Sequence, residues 1–131
     1  MRDIAVLYHY IAAVRREPYR IGTFDCCTFC AAAVNVVTGK DLMQGIPSYS
    51  TESEMQALIQ QYGGSLSALA CHFLQCEPKG PVCARIGDIV LTRSRHGESL
   101  GVCLGNAIAC VSDSGICYLP MSEALTSFEV N

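Results

Sequence analysis

The chain changes character near residue 78, and that change limits its possible folds more than any other feature. Before it, apolar residues recur at helical spacing, as Ile4, Leu7, Tyr8, Ile11 and Val14 do in the first segment. After it come short runs rich in Val, Ile and Leu, "GDIVLTR", "SLGVCL", "AIACV" and "ICYLP", separated by "SRHGE", "GN" and "SDSG". Runs of that length with turn residues between them predict an antiparallel meander, with a last strand near "SFEV". Helices first and strands second predict an α+β architecture in which helices cover one face of a sheet. A chain of 131 residues is long enough for one domain with its own core and short for two, so a single domain over residues 1–131 is expected.

Local signals place the element boundaries. Pro18 and Gly22 interrupt the first helical pattern, and Asp25 stands at an N-cap position before a run ending at Gly39, which predicts a helix over 26–38. Thr51 with Glu54 three residues on is a capping-box pattern, closed by Gly63 and Gly64, and a short fourth helix is expected after Ser65. In the second half, a two-residue turn at Gly105-Asn106 sets Leu104 opposite Ala107 and Gly101 opposite Cys110. A turn in "SDSG" then sets Cys110 opposite Cys117. Alternation puts Ser99, Gly101, Cys103, Cys110 and Cys117 on one face, and the Cys110–Cys117 pair is expected on the side that the second helix covers.

Half of the residues are hydrophobic and 16% are charged, with a mean hydropathy of +0.28. That is apolar for a soluble chain and points to surface that meets a partner. A formal charge of -3 gives no broad basic footprint, so nucleic acid is not expected as a partner. The first segment, "MRDIAVLYHYIAAVRR", is read as a core-facing helix and neither as a secretion signal nor as a membrane span.

Nine cysteines invite a disulfide framework, but the number is odd, no export signal is read ahead of them, and the core is sufficient without staples. Reduced thiols are expected. Cys26 and Cys27 head the second helix, where the positive end of the backbone dipole favours thiolate. Nucleophilic catalysis by such a sulfur needs a base within hydrogen-bond reach, usually a histidine from a distant part of the chain.

The motifs around that sulfur have a likeness. "FDCCTF" resembles the Asp-Cys-Ser-Gly-Phe box of NlpC-type, papain-like cysteine peptidases, and "GDIVL" followed by "SLGVCLGN" resembles their Gly-Asp-Leu-Val and His-Val-Gly-Ile-Tyr-Leu-Gly segments. The order of "FDCCTFCAAAV", "YSTESE", "GDIVLT", "GVCLGN" and "SDSGICYLP" is similar to that in small phage-encoded proteins related to those peptidases. The resemblance covers about residues 20 to 120 and implies a reduced papain-like fold, with the N-terminal helices packed on the meander. It places Cys26 at the nucleophile position, with Cys27 and Thr28 replacing Ser and Gly, Phe29 keeping the aromatic, and Gly101 and Gly105 matching the two glycines of the sheet segment. The base position falls on Ser99, which does not accept a thiol proton at neutral pH. The orienting polar position falls on Ala109 or Cys110.

His96, three residues upstream of Ser99, is the candidate substitute base if a bulge or loop folds it back. His72 is read as packing and His9 as surface. Asp88 is read as a turn-forming acid ahead of its strand. The expected role is that of a non-catalytic structural component of a bacteriophage tail tip or tail assembly. Its partners would be other tail proteins, in the host cytoplasm during assembly and in the virion tail afterwards. The alternative is an active peptidase or amidase that cleaves peptidoglycan peptides with Cys26 as nucleophile and His96 as base. No cofactor is expected. The alternative reading of the sulfurs is a structural zinc or iron-sulfur cluster on Cys26, Cys27, Cys30, Cys110 and Cys117, supported by one C-x-x-C spacing and by the turn between Cys26 and Cys30. A functional disulfide between Cys110 and Cys117 is a further option.

Overall fold

The computed structural model describes residues 2–94 and 97–131. Helices α1 (Ile4–Val14), α2 (Cys26–Thr38), α3 (Glu52–Gln61) and α4 (Leu66–Leu74) come first. Each starts at a side-chain cap: Asp3, Asp25, Thr51 and Ser65 accept from the backbone N–H three residues on. Such a cap satisfies one donor that the first helical turn would otherwise orphan and contributes about 1 kcal/mol. At α3 the Glu54 carboxylate also reaches back past the cap, its Oε1 accepting from the Ser50 N–H at 3.0 Å. α2 stops at Gly39, whose φ of 82° is a left-handed conformation that glycine adopts without a Cβ penalty.

Strands β1 (Ile89–Ser94), β2 (Gly97–Cys103), β3 (Ala107–Ser112), β4 (Gly115–Pro120) and β5 (Ala124–Phe128) follow. The first four form the expected meander. β5 does not continue it: the sheet order is β4-β3-β2-β1-β5, so the chain passes from one edge to the other through the short turn Met121–Glu123. There β5 pairs antiparallel with β1, Ile89 opposite Phe128, with a register shift between Leu91 and Thr92. The two hairpin registers are those that the turn residues predict. Leu104 N–H donates to the Ala107 carbonyl at 2.8 Å, Val102 faces Ala109, and Cys110 faces Cys117.

The α2 residues Phe29, Cys30, Ala33, Val34 and Val37 are buried against Ile89, Leu91, Leu100, Val102 and Ala109, together with Leu7 and Ile11 of α1. Phe29 is fully buried, with Tyr10 stacked on it at 5.9 Å and Phe24 edge-on at 5.9 Å. A smaller cluster on the alternate strand positions holds Val90, Cys103, Ile108, Cys110 and Ala124, with Cys117, Leu119 and Met121 packed around it. The alternation is as expected. The apolar side of α2 packs on the other set of strand residues, while Cys110 of this set lies within charge range of Cys26 and Cys30 near the start of α2. Gly101 belongs to the second cluster's side. A Cβ there would lie 2.6 Å from Ile108 Cγ2 and 2.8 Å from Cys110 Sγ, so only glycine lets β3 side chains lie across β2 at this point. Among the described residues no helix is long and apolar enough to cross a membrane.

Candidate active site

The site is built on the first turn of α2, and its foundation is Asp25. This carboxylate is fully buried. Its Oδ1 accepts from the Thr28 N–H at 2.9 Å, and its Oδ2 accepts from the Gly22 N–H at 2.8 Å and from the Tyr49 hydroxyl at 2.7 Å. Thr28 Oγ1 accepts from the Asp25 N–H at 2.8 Å, completing a reciprocal box. Burial and the bond to Asp25 raise the Tyr49 phenol above its ordinary value, so Tyr49 remains a donor. The loop before α2, the loop before α3 and the helix end are thereby tied to one side chain.

Cys26 is the next residue, half-buried, with its thiol held below the ordinary cysteine value. The largest cause is a hydrogen bond from the Cys27 thiol. The Leu100 backbone N–H and the Ser99 hydroxyl of β2 also donate to it, while burial and the Asp25 charge act in the opposite direction. Cys27 is pushed well up by that same bond and by burial. Burial does the same to Cys30. Of the three clustered sulfurs only Cys26 is set up to carry negative charge, and the helix N-terminus beneath it has the favourable sign.

The site therefore assembles donors. Cys27, Leu100 and Ser99 can each hold a sulfur anion, and none of them accepts a proton at neutral pH. Among the described residues no imidazole stands beside these groups. His72 packs on α4 with Tyr62 at 4.7 Å and Phe73 at 4.9 Å between ring centroids. His9 is exposed on α1. His96 lies outside the described residues. Ser99 stands beside Cys26, where the motif comparison sets the base position, and Cys110 is near enough for the Cys26 charge to help raise its thiol. Asp88 makes its turn, accepting from the Arg85 N–H at 2.9 Å. Among the described residues no group of three or more His, Cys, Asp and Glu side chains is placed to hold a metal ion, and Cys110 and Cys117 pack in the second apolar cluster.

Two residues of the site had no local sequence signal. Tyr49 is separated from Asp25 by all of α2 and the following loop. Tyr19 is exposed, with its phenol raised by burial and by the charges of Glu52, Asp25, Cys26 and Cys27, so it lies within charge range of the site.

The fold has a solved counterpart. The crystal structure of the NlpC/p60 domain of the peptidoglycan hydrolase SagA superposes with a TM-score of 0.62 at 15% sequence identity, over 97% of this chain and 98% of that one. The architecture is NlpC-like: four helices on a five-stranded antiparallel sheet, in the papain-like manner. The search of curated proteins finds no match. A family model does match, over residues 3–130. The chain belongs to the family described as domain of unknown function DUF6950.

Proposed function

We propose that this chain is a non-catalytic NlpC-like domain that serves as a structural component of a bacteriophage tail tip or tail assembly. The observation that carries the non-catalytic half is the identity of the group facing the sulfur: Ser99 donates to Cys26 where a thiol hydrolase needs an acceptor. A thiolate stabilised by donors alone is a poor starting point for acyl transfer, because the same hydrolase must later return a proton to its leaving group. The resemblance to small phage-encoded proteins supports the tail role. The exposed side chains of Val82, Tyr118, Tyr8, Tyr19 and Leu125 are apolar surface available to other tail proteins. On this reading the domain folds in the host cytoplasm and ends in the virion tail.

The test is direct. Purified chain incubated with muropeptides is expected to release no product above a Cys26→Ala control. Turnover lost in that control would overturn the non-catalytic reading. For the tail role, quantitative mass spectrometry of purified virions is expected to find the chain in fixed ratio to known tail proteins, and its absence from both virions and tail assembly intermediates would overturn it.

One observation favours a second reading, a thiol hydrolase acting on peptidoglycan peptides. The Cys26 thiol is held below its ordinary value, as a nucleophile would be. His96 is the base that this reading requires. It predicts that His96→Ala removes the selective alkylation of Cys26 near neutral pH, whereas labelling sustained by the donors alone survives that substitution.

A further inference from the structure

Helix α1 carries no Asp, Glu, Lys or Arg among its eleven residues. Its inner side buries Leu7 and Ile11 in the core, and its outer side exposes Ala5, Tyr8, His9, Ala12 and Ala13. These positions recur at i, i+3, i+4, i+7 and i+8, so they form one continuous stripe, which Arg16 extends by a turn. A helix with one covered face ordinarily turns charge towards water. α3 does so, exposing Glu52, Glu54, Gln56 and Gln60. On α1 the alanines let a second helix axis come close, and Tyr8, 44% exposed, is the side chain such an axis would cover. The charges gather at the ends instead: Asp3 precedes the helix, and Arg15 and Arg16 follow it. All three are exposed, and among the described residues none makes an ion pair within the chain.

We propose that the outer stripe of α1 binds a second copy of this chain, the two helices lying antiparallel about a two-fold axis. Tyr8 of each copy packs over Ala12 of the other, and Arg15 and Arg16 of each lie at the end marked by the other's Asp3. The direction follows from charge. Run antiparallel, the acidic end of each helix meets the basic end of its mate; run parallel, like ends meet. The backbone dipoles also oppose one another in the antiparallel pair. The contact is isologous, so it closes at two copies and leaves no open surface for further growth. Two helices of this length cover less than a standard interface of about 1,600 Å², so a weak association in the micromolar range is expected. This partner lies beyond the tail reading and does not depend on it.

Sedimentation velocity of the full chain under reducing conditions, over a concentration series, tests it, with the urea midpoint of every variant read alongside. The expected result is a reversible monomer–dimer equilibrium that weakens as ionic strength rises. Ala12→Glu brings two carboxylates close to the two-fold axis and is expected to raise the dissociation constant about tenfold or more. Arg16→Glu turns complementary ends into like ones and is expected to raise it about threefold. Val82→Glu, on the exposed turn Pro81–Cys83, is expected to leave it unchanged. A chain that stays monomeric up to about 1 mM overturns the proposal and leaves the stripe to another protein. A dimer that tightens as salt is added overturns it too, as does one that Ala12→Glu and Arg16→Glu leave intact or that Val82→Glu alone dissolves. The concentration and salt dependence of the unsubstituted chain decide the matter even if a variant folds poorly.

Discussion

Two buried aspartates do similar local work and opposite global work. Asp25 and Asp88 each fold back onto the backbone N–H three residues upstream, Gly22 at 2.8 Å and Arg85 at 2.9 Å, and both are sealed from solvent. Asp25 is completed by neutral donors, the Tyr49 hydroxyl and the Thr28 N–H. Asp88 is completed by cations: Arg2 Nη1 at 3.1 Å, Arg85 Nε at 3.9 Å, and the Val130 N–H at 3.0 Å besides. Arg2 also donates to the Ile86 carbonyl. A carboxylate paired with arginine is an effective clamp because its charge is cancelled where it sits. A carboxylate held by dipoles keeps its charge available to its neighbours, and Asp25 accordingly opposes the thiolate form of Cys26. The first arrangement suits joining distant segments, and the second suits positioning a helix end beside a reactive atom.

The same isosteric change at both positions breaks this contrast. Asp88→Asn is expected to cost about 3–5 kcal/mol, because it leaves the Arg2 charge largely buried without its counter-ion, and the urea midpoint measures it. Asp25→Asn is expected to cost about 1–3 kcal/mol, since an amide can still cap α2 but turns a donor towards Gly22 or Tyr49. It also moves the pH midpoint of Cys26 alkylation downwards, because a charge that raises the thiol is removed. A midpoint that moves upwards would refute the electrostatic half of the comparison. Tyr49→Phe removes one donor and no charge, for about 1–2 kcal/mol in the same titration. Glu129→Gln, which removes the exposed pairs with Lys79 and Arg85, is expected to leave the urea midpoint unchanged, as solvent-exposed pairs contribute little.

What the sequence reveals divides along the same line. Helix starts were readable because Asp25, Thr51 and Ser65 bond to groups three residues away, and the hairpin registers because Gly105-Asn106 and "SDSG" fix them locally. The docking of β5 on β1 was not, because nothing near "SFEV" distinguishes the two open edges of a meander. Alternation grouped Cys110 and Cys117 correctly, yet how α2 meets the two groups, its apolar side on one and its first turns near Cys110 of the other, depends on how the helix crosses the whole sheet. At the site, Cys26 and Ser99 were found through spaced motifs. Tyr49 was not, since its bond to Asp25 exists only once two loops meet. Asp88 was recognised as a turn former, but its pairing with Arg2 spans most of the chain.

Because a single carboxylate grips both residue 2 and residue 130, the polypeptide enters and leaves this fold at nearly the same point. An arrangement of that kind can be spliced into a surface loop of a host protein without prising its two anchor points apart, and its backbone can equally be rejoined there and reopened elsewhere.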